Sequence, residues 1–285
     1  MESTTELIVL TLLASILLTM FAAGLSASFE DAIYLFRRPG QLLRSLVSLY
    51  IVLPLFAIVV IFVFDLHQAL EIGLISLMVS PMSPLLMKKM PNQGESASYM
   101  IGLAVAAGVL AIVTVPLSVL LLGYASGASI SPAAVTRTVV ISVIAPLAAG
   151  LLIRQRVPAF AQRIERPASL LASLLLIAGL LPMLFIVMPM ILQLLYNGAV
   201  VAIVAIAVAG LAAGHLLGGP GPANRMVLAL SNPSRHPGVA ISIAIANFPD
   251  QASLIFAGIL LYLLISSIIV TLYQKWYIKS AGTAN

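Results

Sequence analysis

The chain has 285 residues, of which 61% are hydrophobic and only 8% carry a charged side chain. A water-soluble domain carries about 25% charged residues, so this composition excludes an ordinary soluble protein. The net charge of +5 is expected from basic residues on cytoplasmic loops, and it gives no reason to expect nucleic acid as a partner. The absence of cysteine excludes disulfides, thiolate metal ligands and cysteine nucleophiles.

Apolar runs of about 20 to 25 residues recur along the chain, and each is long enough to cross a bilayer as a helix. The predicted fold is therefore an all-α integral membrane protein with nine transmembrane helices and no separate soluble domain. The N-terminus lacks a basic segment and a cleavage site, so we expect the first helix to be retained. In chain order the helices cover residues 5–28, 41–64, 69–93, 96–123, 131–153, 166–188, 193–217, 222–247 and 250–276.

The basic residues are distributed unevenly between the two sets of loops. One set carries Asp65, Glu71 and Asp250 with Arg137 as its one basic residue. The other set carries Arg37, Arg38, Arg44, Lys88, Lys89, Arg154, Arg156, Arg163, Arg166, Arg225, Lys275 and Lys279. Because basic loops stay in the cytoplasm, this pattern predicts a cytoplasmic C-terminus and an external N-terminus in the cell (plasma or inner) membrane.

Two of the predicted helices are interrupted near their middle. Residues 80–84 read Ser-Pro-Met-Ser-Pro, and residues 231–238 read Ser-Asn-Pro-Ser-Arg-His-Pro-Gly. Each proline removes a helical N–H donor and clashes with the preceding turn, so both helices should unwind there. Secondary transporters build midplane substrate sites from paired helices of this kind. The helix-breaking residues are Pro81, Pro84, Pro233, Pro237 and Gly238.

Arg235 is the most informative side chain, because an arginine at a helix centre is costly in a bilayer. We expect it to bind an anionic substrate. The alternative is a structural role in which it bonds the unwound carbonyls of the third helix. His236 either carries a proton or only bonds its neighbours. Lys88 is a possible second source of positive charge or a snorkelling interface residue. The remaining candidate substrate-binding residues are Ser231, Asn232, Ser234, Ser83 and Asn247.

The two breaks lie in the third and eighth helices, five helices apart. An odd offset places them in opposite directions through the membrane, as an inverted repeat requires. Pairing the first helix with the sixth, and so on to the fourth with the ninth, leaves the fifth without a partner. No metal cluster, GxSxG, HExxH, P-loop or dinucleotide motif is present, so we expect no enzyme.

The order of short motifs resembles the bile acid/sodium symporter family. The motifs are Met20–Leu25, Arg37–Pro39, Leu53–Leu55, Gly73–Leu74, Ser80–Pro81, Gly238–Ala240 and Ala246–Phe248. The resemblance implies an alternating-access carrier. Its core domain would comprise residues of about 41–123 and 193–276, and its panel domain residues of about 5–28 and 131–188. Sodium as a coupling ion is suggested by this resemblance alone.

The residues that bind sodium in the family are largely replaced. Sodium-dependent members have a glutamate and a glutamine where this chain has Ser231 and Arg235. Amide and hydroxyl residues give way to Leu49, Met100 and Ala104. The resulting hypothesis is a sodium-independent carrier of a small organic anion, with Arg235 supplying the positive charge. The alternatives are another crossed-helix carrier, such as an auxin-efflux-type transporter, and a channel.

Overall fold

The structure, a computed structural model, describes residues 2–83, 86, 95–126, 137, 140–196, 198–241 and 248–282. Within these ranges the chain is helical, apart from turns and one isolated antiparallel β-bridge. The helices are α1 (Glu2–Ser26), α2 (Phe29–Ile33), α3 (Pro39–Phe64), α4 (Gln68–Val79), α5 (Glu95–Ser126), α6 (Ala145–Arg156), α7 (Pro158–Leu194), α8 (Ala199–Leu217), α9 (Pro222–Ser231), α10 (237–241) and α11 (Ala252–Gly282).

Two π-helical turns interrupt the regular α-helical pattern. The first, Ser48–Val52, lies inside α3, and the second, Val140–Ile144, precedes α6. A proline follows each turn, at Pro54 and Pro146. Because proline has no N–H, the helix before it has to shift its hydrogen-bond register or leave a carbonyl free.

Four helices in the described part of the chain are long and apolar enough to cross a membrane. They are Pro39–Phe64, Pro158–Leu194, Ala199–Leu217 and Ala252–Ser280. Shorter apolar helices cover Leu10–Ser26, Gln68–Val79 and Ser96–Ala111. The predicted multi-pass, all-helical membrane fold is therefore supported, while the total of nine crossings stays a prediction.

The sequence placed the starts of two helices wrongly, and one of them, predicted at residue 193, lies at Ala199. We expected a helix over 166–188, but α7 runs over Pro158–Leu194 and continues through three internal prolines, Pro167, Pro182 and Pro189. It begins at Pro158 because proline fits the first helical position, while Val157 before it takes a non-helical conformation (φ −137°, ψ 69°). Arg163 and Arg166 therefore lie on the first turns of a helix and not in a loop.

The first helix packs along α6 and α7. Gly24 of α1 and Gly150 of α6 face each other so closely that a Cβ on Gly24 would clash with the carbonyl of Leu147. A Cβ on Gly150 would clash with the carbonyl of Phe21 in the same way. The Ser15 hydroxyl donates to the Ala172 carbonyl of α7 (2.8 Å). These contacts join α1, α6 and α7 into one unit.

The other helices pack around the two breaks. Helix α8 lies against α9, α3 and α11, α11 lies against α4, and α2 lies against α5. Most buried apolar side chains of α3, α4, α8 and α11 form one continuous cluster, which also takes in α7 residues such as Val187. The two helix breaks are therefore surrounded by packed helices, as irregular backbone at membrane depth requires.

Replacing Gly150 by alanine should destabilise the protein by about 1–3 kcal/mol, because the methyl group overpacks a backbone-to-backbone contact. Thermal unfolding of the detergent-solubilised protein measures the effect. Gly40→Ala is the matched control, since a Cβ there meets nothing within 4 Å. Equal melting temperatures for the two variants would contradict the close α1–α6 contact.

The short helix α2 was not predicted, and it is held by a carboxylate. Ser28 caps the helix, its hydroxyl accepting from the N–H of Asp31 (3.1 Å) while the Asp31 carboxylate accepts from the Ser28 N–H (3.3 Å). The same carboxylate accepts from the Ser98 hydroxyl of α5 (2.5 Å). Partial burial raises the pKa of Asp31, but hydrogen bonds from Ser28 and Ser98 outweigh it and leave the pKa below 3.8.

An Asp31→Asn variant should therefore lose about 1 kcal/mol of stability at pH 7. A carboxyl with a depressed folded-state pKa stabilises the protein above its unfolded pKa. That stabilisation disappears as the pH falls through the folded value. The difference in melting temperature between wild type and variant should thus shrink below about pH 4. Glu30→Gln, a neighbouring exposed acid, is the control; a pH-independent difference would refute the assignment.

Candidate functional site: a helix crossing around a buried arginine

The two broken helices meet where each has unwound. Helix α4 ends at Val79, and α9 ends at Ser231 before helix resumes at Pro237. Pro237 occupies the first position of the resumed helix, where its missing N–H is not needed. We call the unwound stretches 80–83 and 232–236 the crossing.

Backbone hydrogen bonds join the two stretches in antiparallel orientation. The N–H of Ser83 donates to the carbonyl of Ser234 (2.8 Å), and the N–H of His236 donates to the carbonyl of Pro81 (2.9 Å). Together they make the isolated bridge between Met82 and Arg235. Each unwound stretch therefore supplies partners for the other, which relieves much of the cost of unwinding in an apolar environment.

The side chain of Arg235 fills the crossing and is 1% exposed. Its Nε donates to the Asn232 carbonyl (2.7 Å), Nη1 to the Ser80 carbonyl (3.1 Å) and Nη2 to the Leu49 carbonyl (2.7 Å). The guanidinium thus bonds the ends of both broken helices and the π-helical turn of α3. Three of its five N–H donors are occupied by backbone oxygens.

The Leu49 carbonyl is available because Leu53, its α-helical partner, bonds Ser48, and because residue 54 is a proline. In the π-helical turn the N–H of Leu53 donates to Ser48, five residues back. The next N–H in that register would belong to residue 54 and would bond Leu49, but residue 54 is proline and has none. The freed carbonyl accepts from Arg235 instead.

The other two acceptors are freed in related ways. The residue four after Ser80 is Pro84, which has no N–H to complete a helical bond to the Ser80 carbonyl. The residue four after Asn232 is His236, and its N–H is committed to the Pro81 carbonyl across the crossing. All three carbonyls around the guanidinium therefore lack the partner that an uninterrupted α-helix would provide.

The charge of Arg235 is balanced by dipoles. Within the described ranges, no acidic side chain bonds the guanidinium, and its neighbouring ionisable groups are the hydroxyls of Tyr50 and Tyr262. The Tyr262 hydroxyl donates to the Pro233 carbonyl (3.2 Å). Because the C-terminal ends of helices carry partial negative charge, the ends of α4 and α9 stabilise the cation between them.

The polar residues predicted to bind substrate differ in their exposure to solvent. Ser231 and Asn232 are fully buried, and the Ser231 hydroxyl donates within its own helix to Val227. Ser234 is half-buried, and Ser83 is 8% exposed. Ser83 and Ser234 are therefore the candidate hydroxyls nearest to an accessible surface. Lys88, Asn247 and Pro84 lie outside the described residues.

His236 is buried beside the unit formed by α1, α6 and α7. It is 3% exposed, and its Nδ1 has no hydrogen-bond partner among the described residues. Gly238 leaves room for Ile16 of α1, since a Cβ there would clash with the Ile16 side chain. A buried apolar cluster continues this contact, and it consists of Met20, Val79, Ala111, Val143 and Val239. The first helix thus packs against the residues on either side of the crossing.

Three of the positions at which the resemblance implies sodium ligands, Leu49, Met100 and Ala104, carry apolar side chains that are packed among their neighbours. Leu49 and Met100 are at most 1% exposed and share one buried cluster with Met82, against which Ala104 packs. Their side chains offer no oxygen to a cation. The oxygen atoms that Arg235 bonds are three backbone carbonyls.

A comparison with protein families decides the relationship. The model of the sodium bile acid symporter family matches residues 13–194, well over half of the chain. The chain belongs to this family. The sequence resemblance to bile acid/sodium symporters is thereby confirmed, and the family is one of transporters. No curated protein matches the chain. The family match includes the first broken helix and ends before the second, so Arg235 lies outside it.

The sequence suggested carbonyls of the third predicted helix as alternative partners of Arg235. It did not reveal the bonds to the Leu49 and Asn232 carbonyls. The π-helical turn and the role of the Leu49 carbonyl were missed. The available signal was Pro54, which interrupts an otherwise continuous apolar helix. A proline in mid-helix leaves a carbonyl of the preceding turn without its helical donor. A buried cation elsewhere in the chain needs such a carbonyl as a partner.

The accessibility difference within the site is testable, because the chain has no cysteine of its own. A Ser234→Cys variant should react with a membrane-impermeant thiol reagent much faster than Ser231→Cys, since Ser234 is half-buried and Ser231 is fully buried. Mass spectrometry of the labelled protein gives both rates. Equal labelling of the two variants would show that Ser234 does not face an accessible surface.

Proposed function

We infer that this member of the sodium bile acid symporter family is a secondary transporter that carries a small organic anion without coupling to sodium. The observation that supports this most directly is the position of the Arg235 guanidinium among three backbone carbonyls at the crossing. Backbone carbonyls are hard oxygen ligands of the kind that alkali cations take in membrane proteins. Here the Arg235 guanidinium, a cation that is part of the protein, lies among such carbonyls.

A permanent cation changes how a carrier of this kind works. A bound sodium ion adds positive charge only while it is present, so its gradient drives the transport of an anion. The Arg235 charge never leaves, so the crossing attracts anions in every step of the cycle. Transport then proceeds by facilitated diffusion, by exchange or with a proton. In the last case His236, a buried titratable side chain at the crossing, carries the proton.

The packing supports alternating access as the mechanism. The unit of α1, α6 and α7 contacts the residues that flank the crossing, Val79, Gly238 and Val239, through apolar side chains of α1. Apolar contacts are non-directional, so this unit is able to shift against the crossing without breaking a buried ion pair. The substrate would bind between the two, close to Ser83, Ser234 and His236. We assign the protein to the cell membrane with its C-terminus in the cytoplasm.

The sodium requirement is tested by uptake into proteoliposomes. A thermal-shift screen of bile acids, keto acids and pantoate, each in sodium and in potassium buffer, first selects the anion. Uptake of that anion should be the same with an inward sodium gradient as with an inward potassium gradient. Uptake that requires sodium would overturn the proposal.

The role of Arg235 is tested by Arg235→Gln, which removes the charge. Each charge-assisted hydrogen bond contributes about 1.5–3 kcal/mol, so we expect uptake to fall at least about tenfold. Arg235→Lys keeps the charge but loses the planar fork and should retain part of the activity. Arg163→Gln, at an exposed position of α7, is the matched control. Full transport by Arg235→Gln would remove Arg235 from the mechanism.

A further inference from the structure

Asn232 has a fully buried side chain whose amide makes two specific hydrogen bonds. Its Nδ2 donates to the Ser48 hydroxyl (2.8 Å) and to the Gly210 carbonyl of α8 (2.8 Å). The Gly210 carbonyl can only accept, so the nitrogen and not the oxygen of the amide has to face it. Both contacts come from other helices, which places Asn232 at the junction of α3, α8 and the end of α9.

The amide oxygen of Asn232 is buried and has no hydrogen-bond partner in the described part of the chain. A buried acceptor without a partner is destabilising, and an apolar side chain of similar size would avoid that penalty. Stability alone therefore does not explain an asparagine here. The two bonds from its nitrogen have to serve another purpose.

Those two bonds fix the acceptors of Arg235. The Asn232 backbone carbonyl accepts from Arg235 Nε, so anchoring the Asn232 side chain to α3 and α8 holds that carbonyl in place. Ser48 directly precedes Leu49, whose carbonyl accepts from Arg235 Nη2. The Asn232–Ser48 bond thus links the two carbonyls that bind the guanidinium at 2.7 Å.

We propose that Asn232, acting with Ser48, is a positioning residue that sets the orientation of the Arg235 guanidinium and thereby the affinity for the transported anion. This inference rests on the proposed function, because it assigns Arg235 to anion recognition. It moves Asn232 from the substrate-contacting residues to the residues that act through Arg235.

The test is a double-mutant cycle between Ser48→Ala and Arg235→Gln. Uptake is measured with radiolabelled cholate as the probe, and the same cycle is run on the thermal unfolding temperature, which needs no substrate. Ser48→Ala alone should raise the KM about three- to tenfold, as expected for one neutral hydrogen bond, with little change in maximal rate. In the Arg235→Gln background the same change should have almost no further effect.

The conservative variant and the control separate positioning from packing. Ser48→Thr keeps the hydroxyl and should restore the wild-type KM, whereas Asn232→Ala should reproduce the defect of Ser48→Ala. Ser266→Ala removes an equally buried hydroxyl that bonds only its own helix, and it should leave KM unchanged. If the effects of Ser48→Ala and Arg235→Gln simply add, on uptake and on unfolding, Ser48 does not act through Arg235.

The outcomes distinguish this inference from the proposed function. If Arg235→Gln alone changes neither cholate uptake nor unfolding temperature, the assignment of Arg235 fails, and the inference fails with it. If Arg235→Gln lowers uptake but Ser48→Ala acts independently of it, the proposed function stands and the positioning role of Asn232 is refuted.

Discussion

A guanidinium buried among apolar helices has to find acceptors, and this constraint explains the arrangement of the site. The acceptors of Arg235 are backbone carbonyls, and an uninterrupted α-helix would have bonded each of them internally. Pro84 has no N–H to close such a bond, Leu53 gives its N–H to Ser48 in the π-helical turn, and His236 gives its N–H to the facing chain. The interruptions of the helices therefore supply the carbonyl oxygens that surround the guanidinium.

The same arrangement gives a physical account of the proposed sodium independence. Removing a bound ion from such a crossing would leave several carbonyl dipoles pointing at one another. A long cationic side chain relieves that repulsion from within the protein. The neighbouring positions then no longer need oxygen ligands, and Leu49 and Met100 fill the space with apolar packing. On that proposal, the carrier no longer draws energy from an ion gradient at this position.

The sequence predicted the helical membrane fold, the two breaks and the buried arginine, because proline and charge in an apolar run have strong local consequences. It did not predict the π-helical turn at Ser48–Val52 or the contact of Gly238 with Ile16, because both depend on which helices meet in space. The start of α7 was placed late because Arg163 and Arg166 looked like loop residues. The bonds of Asn232 to Ser48 and Gly210 were not predicted either, because they join segments far apart in the sequence.

Pro54 and Arg235 belong to different helices and do not bond each other, yet the first makes the second tolerable. A residue with an N–H at position 54 would offer the Leu49 carbonyl a competing donor from its own helix. The arginine would then lose one of its three carbonyl partners. The dependence runs in one direction, from position 54 to the arginine. A substitution of the proline would therefore be felt at the crossing, on a helix that does not carry it.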